Sequence, residues 1–419
     1  MGGFMKTFIK KIIAVMLVAM LLWSSVPTVF AANLAVDGKM QNVITELAYG
    51  RTYVSTQSLK AFGLQTAVSG SKITINNSAV KFEFTSRSNK VKVNDIELTL
   101  DAEAYIKENI AYVPLKFVFE TLNYTVGYNA NTRAITLTKN AELSFPLTIT
   151  DSGETYTFTK TAKKIVSLAP SITEILFTIG AGELVVGRTK YCTYPAETAK
   201  VPSVGTLYEP NVETILDLEP DTVIAATHMN EEVLAMLQKA KISTLTQASP
   251  AKIGEIYTLI AQLGKLTGKN FEARAVISSM KAKEERITSI VKSIPASQRK
   301  TVYYVVGTGK SEYSAGRQTF IHEILTDAGC INVAADVDKW NYSLEKLIEH
   351  DPQIIIGADY SYDTMKGSSN YSSLSALKNG SFVTVNTDIF SIPGPRVMDY
   401  SMKTIIQKIY PNYAGNLRF

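Results

Sequence analysis

The pattern of apolar and polar residues changes near residue 141. Before that point, short strand-like segments such as Lys72–Ile75 and Ile96–Leu100 follow one another with turns between them. After it, short apolar runs such as Ile165–Leu168 alternate with longer segments that carry an apolar stripe at helical spacing, as in Asn270–Lys292. Such alternation is typical of an α/β unit with parallel sheets. The chain is therefore predicted to hold a small α+β domain followed by a larger α/β domain.

The larger domain is organised around residues 163–195. A buried strand at Ile165–Leu168 precedes a short helix, and Ser171 is expected to cap that helix with Glu174 as its capping-box partner. A second strand leads into the aromatic loop Tyr191–Pro195. Parallel α/β sheets bind ligands at the carboxyl ends of their strands. Pro170, Ser171 and the loop that starts at Tyr191 are therefore candidate ligand contacts.

The smaller domain contains an internal repeat. The interval along the chain from Tyr53 to Tyr112 equals the interval from Val54 to Val113. Each tyrosine belongs to a strand that leads into a short helix and then into another strand. The repeat predicts two related halves that pack on each other.

The larger domain also repeats. The interval from Glu213 to Glu345 equals the interval from Pro220 to Pro352, and each glutamate lies in the first turn of a helix that precedes a strand. The common interval predicts two similar lobes, residues 163–250 and 300–413, joined by helices over residues 251–292. Two lobes of this kind enclose a cleft between them.

Residues 1–31 have the composition of a secretory signal peptide. Lys6, Lys10 and Lys11 precede an apolar run over Ile12–Trp23, and the small residues suited to cleavage end at Ala31. No cysteine lies directly after the apolar run, at the usual site of lipid attachment, so the protein is expected to be secreted or held at the extracellular surface without an N-terminal lipid anchor. The formal net charge of +5 includes these three lysines. No basic cluster indicates nucleic-acid binding.

Few residues point to catalysis or to metal binding. The sequence has no serine elbow, no zinc-ligand spacing and no paired cleft carboxylates, so it predicts neither an enzyme nor a resident metal or cofactor. His228 follows a predicted strand end, where it is either a solvated loop residue or a ligand to a metal carried by the bound molecule. The two cysteines, Cys192 and Cys330, are equally compatible with a disulfide and with free thiols.

Residues 34–140 resemble the copper-amine-oxidase-like N-terminal domain, or stalk domain, of exported proteins from Gram-positive bacteria. The resemblance is carried by Tyr53-Val54-Ser55 and Tyr112-Val113-Pro114, each followed by a short helix and a threonine-rich strand. The segment contains neither His nor Cys, so no copper site is expected. The resemblance implies a spacer or a module for association with the cell wall, followed by a connector over residues 141–162.

Residues 145–413 resemble the class III solute-binding proteins of the ABC importers that serve vitamin B12, haem and iron–siderophores. The matching segments are Ile165–Glu174, Tyr191–Pro195, Asn211–Glu213 with Leu218–Asp221, and Pro393–Arg396. The resemblance implies a solute-binding domain over residues 163–413, with two Rossmann-like lobes joined by a long helix. It also implies that Glu213 and Glu345 dock onto arginines of the transporter's transmembrane subunits.

Within that family, the Tyr-Cys-x-Tyr-Pro loop is most similar to the cobalamin binders. The positions that correspond to ligand contacts are Tyr191, Leu207 with Tyr208 beside it, Trp340 and Asp388. A corrinoid is a large flat macrocycle fringed with amides, and aromatic walls with a few polar groups suit it. The chain departs from those binders at Leu207, Ala226 and Ile392.

The expected function is therefore capture of a corrinoid for delivery to an ABC importer. Two alternatives remain open at this point. One is a haem-binding or iron–siderophore-binding protein of the same fold. The other is a cell-surface interaction protein in which the stalk domain carries the function.

Overall fold

The computed structural model describes residues 28–151, 153–226, 230–308, 312–417 and 419. Residues 1–27 of the predicted signal peptide lie outside these ranges, as does His228. The chain divides into two compact units. The first comprises the described residues up to Lys92 together with Ala102–Asn140, and the second comprises Val93–Asp101 together with Ala141–Phe419. Among the described residues, no helix is both long enough and apolar enough to cross a membrane.

Most of the first unit belongs to one sheet of eleven described strands. These are β1 (Thr28–Val36), β2 (Lys39–Ala48), β3 (Arg51–Ser55), β4 (Gln65–Ser69), β5 (Lys72–Asn76), β6 (Lys81–Thr85), β7 (Ser88–Val93), β8 (Ile96–Lys107), β9 (Ile110–Pro114), β10 (Tyr124–Asn129) and β11 (Ala134–Lys139). Their order is β10-β11-β1-β2-β3-β9-β8-β7-β6-β5-β4. Val54 of β3 pairs with Val113 of β9. These two valines are equivalent positions of the repeat, so its two copies pair directly along β3 and β9.

The second unit contains two four-stranded parallel sheets with one topology. The first lobe has β14 (Ile165–Ser167), β15 (Val185–Arg188), β16 (Thr222–Ala226) and β17 (Ser243–Gln247), in the order β15-β14-β16-β17. The second lobe has β18 (Thr301–Tyr304), β20 (Ile331–Asn332), β22 (Ile354–Gly357) and β23 (Phe382–Thr384), in the order β20-β18-β22-β23. In each sheet, the lobe's first strand in chain order has an inner position, and its second strand lies beside it at the edge. The prediction of two similar α/β lobes is confirmed.

Two small antiparallel pairs accompany these sheets. One joins β12 (Leu147–Asp151) to β13 (Glu154–Phe158), and the other joins β19 (Glu312–Tyr313) to β21 (Asn341–Tyr342).

The described α-helices are numbered in chain order. They are α1 (Leu115–Thr121), α2 (Pro170–Thr178), α3 (Val212–Asp217), α4 (Glu231–Lys239), α5 (Ile253–Thr267), α6 (Asn270–Ser293), α7 (Phe320–Asp327), α8 (Leu344–His350), α9 (Asp359–Lys366), α10 (Ser375–Lys378), α11 (Thr387–Phe390) and α12 (Lys403–Ile409).

Helices α5 and α6 connect the lobes. Gly268 follows the last residue of helix α5 as its C-cap, and its positive φ of 77° is the left-handed conformation that glycine adopts at helix ends. Helix α6 has 24 residues, which corresponds to about 36 Å at 1.5 Å per residue. It buries Ala273, Met280 and Ile287, as its apolar stripe predicts. The expected long connecting helix is therefore present.

The C-terminal segment differs from the pattern-based expectation. Helical spacing predicts one helix from about Val397 to Ile409. The structure instead has a 3₁₀ turn at Pro395–Val397, a π-helical turn at Met398–Met402, and then α12. The wider π turn lies next to the segment that carries Arg396, which enters the cleft described below.

Candidate functional site

The first wall of the cleft starts where β14 ends. Helix α2 begins at Pro170, with Ala169 as its N-cap residue and no side-chain cap. The expected capping box at Ser171 and Glu174 is therefore wrong. Proline is favoured at the first helical position because its missing N–H would be unpaired there. This arrangement leaves the Glu174 carboxylate available for another partner.

The aromatic loop after β15 forms the lip of this wall. Cys192 is buried, and its Sγ lies 3.2 Å from Thr189 Oγ1. The Arg188 side chain donates to the carbonyl oxygens of Thr189 and Thr198. These contacts anchor the loop from inside, while two of its rings reach the surface: Tyr191 is 48% exposed and Tyr194 is 42% exposed.

The second wall comes from the loop after β23 and from helix α11. The Asn386 side chain accepts a hydrogen bond from the Asp388 backbone N–H at 3.0 Å, and the Asn386 N–H donates to the Tyr400 hydroxyl at 2.8 Å. Phe390 is buried and stacks on the Tyr304 ring. The Asp388 carboxylate is exposed and forms no ion pair within the described part of the chain.

A cavity of about 330 Å³ lies between the two walls. The lining residues are Pro170, Glu174, Lys190, Tyr191, Thr193, Tyr194, Thr387, Asp388, Ser391, Ile392 and Arg396. The first six belong to the first lobe, and the other five follow the last strand of the second lobe. The cavity is therefore at the carboxyl edges of the sheets, where α/β proteins bind ligands.

An ion pair between the walls forms part of the cavity. Arg396 Nε and Nη2 donate to Glu174 Oε2 at 2.9 and 2.6 Å, and the Arg396 backbone N–H donates to Oε1 at 3.1 Å. The guanidinium carbon lies 3.6 Å from the centroid of the Tyr194 ring. Gly394 permits this approach, because a Cβ at that position would lie only 3.0 Å from Glu174 Oε1.

Three of the predicted ligand contacts line this cavity: Pro170, Tyr191 and Asp388. The other four do not belong to its lining. Ser171 is half-buried in the first turn of α2, and Leu207 is half-buried in the loop before α3. Tyr208 is 62% exposed and Trp340, which immediately precedes β21, is 43% exposed. Their role in ligand binding remains a prediction.

Pattern reasoning does not single out several of the lining residues. Tyr194 belongs to the aromatic loop that the sequence marks as a candidate, and Arg396 belongs to the matching Pro-Gly-Pro-Arg segment. Thr387 and Ser391 carry no sequence signal, because small hydroxyl residues are frequent in loops. Glu174 is assigned to a local cap by its spacing, whereas its partner is 222 residues away.

The carboxylates predicted to dock onto a transporter are both exposed. Glu213 and Glu345 lie in the first turns of α3 and α8. Polar residues that favour helix starts precede both glutamates, and the caps expected from them form: Asn211 accepts from the Thr214 N–H at 2.9 Å, and Ser343 accepts from the Lys346 N–H at 3.2 Å. The negative charges thus sit where the helix dipole favours them.

The two cysteines are free and buried. Burial raises the pKa of the Cys330 thiol to about 12, which keeps it protonated at neutral pH. Within the described ranges, no group of three His, Cys, Asp or Glu residues is arranged to hold a metal ion.

The larger unit matches proteins of one transport family. A family profile described as periplasmic binding protein matches residues 165–388. An ABC transporter substrate-binding lipoprotein of Bacillus subtilis, YvrC, is 32% identical over 274 residues, which are 64% of this chain and 87% of the relative. A cobalamin-binding protein of Halobacterium salinarum is 30% identical over 272 residues, or 61% of this chain and 72% of the relative.

Solved structures agree on the fold. A crystal structure described as a possible iron-binding periplasmic solute-binding protein from Staphylococcus epidermidis has a TM-score of 0.53 and 26% identity, and the match covers 60% of this chain and all of that one. A haem-binding protein from Roseiflexus has a TM-score of 0.55 at 23% identity, with 60% of this chain and 99% of that one covered. At that identity the likeness concerns the fold alone.

The smaller unit matches a second profile, described as the copper amine oxidase N-terminal domain, over residues 35–137. Both predicted resemblances are confirmed by these matches. The periplasmic-binding-protein profile spans more than half of the chain, and its span contains both lobe sheets and the first wall of the cleft. The chain belongs to the periplasmic binding protein family.

Proposed function

We propose that this protein is the substrate-binding component of an ABC importer and that its ligand is a corrinoid. The importer role follows from family membership and from the substrate-binding relative in Bacillus subtilis. The ligand class is supported by the similarity to a protein named as cobalamin-binding, which covers 61% of this chain.

The observation that carries the ligand proposal is the make-up of the cleft mouth. Tyr191 and Tyr194 present half-exposed rings on one side, and Asp388 presents an exposed carboxylate on the other. One face of the Tyr194 ring carries the Arg396 guanidinium, and the Lys190 ammonium lies 5.3 Å from the centroid of the Tyr191 ring. Flat apolar faces suit a macrocycle, and a carboxylate accepts hydrogen bonds from amide N–H groups. Haem carries two anionic propionates instead of amides, and these would gain no hydrogen bond from the Asp388 carboxylate.

The cavity volume agrees with partial enclosure of such a ligand. At about 330 Å³ it is at the small end of the range for ligand pockets, which is about 300–1,000 Å³. A corrin ring is larger than this, so one edge enters the cavity and the remainder lies against the tyrosine faces at the mouth.

The position of the exposed carboxylates suits delivery to the importer. Glu213 and Glu345 lie at the amino-terminal ends of helices that precede parallel strands, and each helix starts near the carboxyl edge of its sheet. The ligand and the two carboxylates are therefore presented on the same side of the molecule. We infer that this pair docks onto cationic residues of the transmembrane subunits.

A ligand panel tests the ligand proposal. The purified chain, shortened to begin at Ala32, is mixed with cyanocobalamin, haemin or a ferric hydroxamate siderophore. Bound ligand is then measured by absorbance after gel filtration. The proposal predicts stoichiometric retention of cyanocobalamin and weak retention of the other two. Preferential retention of haemin or of the siderophore would overturn the corrinoid assignment, and retention of none would favour an interaction role for the protein.

A further inference from the structure

Arg396 has a cleft-facing guanidinium that is already paired with a carboxylate of the protein through two of its three nitrogens. Its Nε and Nη2 atoms both donate to Glu174, and its flat face lies on the Tyr194 ring. The Glu174 side chain is 2% exposed and the Arg396 side chain is 18% exposed. This arginine lines the cavity, but its charge is compensated from within the protein.

The compensation changes the charge that a ligand meets. The cavity is lined by two bases, Lys190 and Arg396, and by two acids, Glu174 and Asp388. Of the two bases, Arg396 is the more enclosed, because Lys190 is exposed. Enclosed guanidinium groups bind carboxylates and phosphates strongly when they are unpaired. Without Glu174, the cleft would offer such an anion site.

We propose that Glu174 determines ligand specificity by neutralising Arg396, so that the cleft selects neutral, amide-fringed ligands against anionic ones. This inference rests on the proposed function, because it concerns the same cleft. Glu174 acts through Arg396 and is a positioning residue: it holds the guanidinium against the first lobe, so that Nε and Nη2 are not offered to a ligand.

A purely structural role for the pair has different consequences. If the pair only joined the lobes, removal of the Glu174 charge would weaken the binding of every ligand. If Glu174 neutralises Arg396, removal of the Glu174 charge should instead lower the affinity for neutral ligands and raise the affinity for anionic ones. Specificity obtained by rejecting the wrong ligand is a difference between two affinities, so both must be measured.

The test substitutes Glu174→Gln and compares two corrinoids with the same ring. Cobinamide carries amides at its periphery, and cobyrinic acid carries carboxylates. The wild-type protein should bind cobinamide more tightly. In the variant, the affinity for cobyrinic acid should rise by about tenfold relative to that for cobinamide, and the gain should shrink as salt is added. An unchanged ratio of the two affinities would overturn the inference.

Matched variants keep the result interpretable. Glu219→Gln makes the same change in an exposed ion pair of the same lobe, with Lys164, and should leave the ratio unchanged. Glu174→Asp keeps the charge on a shorter side chain and should give a smaller shift. It also replaces the glutamine variant if circular dichroism shows that the latter does not fold.

Failure of the proposed function would look different. If the wild-type protein binds neither corrinoid, the corrinoid assignment fails. The inference is then tested with haemin, whose propionates supply the anionic groups. Tighter haemin binding by Glu174→Gln than by wild-type protein supports the role of Glu174, and equal binding overturns it.

Discussion

Substitution of Glu174 should destabilise the larger unit by an amount that the geometry allows us to work out. Removing one partner of a fully buried ion pair costs about 3–5 kcal/mol, because the remaining charge is left unpaired. Here the Arg396 side chain is 18% exposed to solvent, and its stacking on Tyr194 does not depend on Glu174. We therefore expect about 2–3 kcal/mol for Glu174→Gln, below the fully buried case.

Thermal unfolding measures this loss. At about 2 °C per kcal/mol for a unit of this size, the melting temperature should fall by about 4–6 °C. Trp340 lies in the larger unit, and the other tryptophan, Trp23, is absent from the chain that begins at Ala32. Tryptophan fluorescence of the shortened chain therefore reports on the unit that contains the ion pair.

Two variants define the result that would refute this reasoning. The double variant Glu174→Gln with Arg396→Gln removes both charges and should recover most of the loss, to within about 1 kcal/mol of wild type. Glu219→Gln breaks only an exposed pair and should change stability by less than about 1 kcal/mol. A double variant less stable than Glu174→Gln would show that an unpaired charge is not the cause of the loss.

The remaining predictions concern a helix cap, a buried thiol and the docking carboxylates. Ser343→Ala should cost about 1 kcal/mol in chemical denaturation, because the Lys346 N–H loses its acceptor; an unchanged midpoint would contradict the cap. In a Cys192→Ser variant, Cys330 should react slowly with Ellman's reagent at about pH 8 and rapidly once unfolded, since burial raises the pKa of its thiol to about 12 and the thiolate accumulates only towards that pH; rapid reaction of the native protein would contradict this. Reversing Glu213 and Glu345 to Lys should abolish stimulation of the transporter and leave the ligand dissociation constant unchanged; weaker ligand binding would argue against a docking role.

The architecture of the larger unit could be predicted because it is encoded locally and twice. Short apolar runs predict strands, and the common interval between the Glu213 and Glu345 segments predicts that the lobes are alike, which the two sheet orders confirm. Asn211 and Ser343 can be recognised as helix caps from the sequence, because a cap side chain bonds a backbone N–H only two or three residues further along the chain. Helix α9 could not be predicted in this way. It has no side-chain cap, it is mostly polar, and its buried residues are one serine and one methionine.

The cleft could be predicted only in part, because its key contact is not local. The loop with Tyr191 is visible as a cluster of aromatic residues before a proline, and strand order places it at the ligand edge. The partner of Glu174 depends on how the C-terminal segment returns to the first lobe. No periodicity in the sequence encodes a contact over 222 residues, so local spacing assigns Glu174 to a cap that does not form.

The central claim is that the cleft between the lobes is the ligand site, and one titration tests it directly. Cyanocobalamin binding is measured by isothermal calorimetry for wild type, Tyr191→Ala and Tyr128→Ala. Tyr128 is an exposed tyrosine of the smaller unit and serves as the matched control. We predict one site per chain, a loss of about tenfold in affinity for Tyr191→Ala and no change for Tyr128→Ala. Unchanged affinity in Tyr191→Ala, or an equal loss in both variants, would contradict the account.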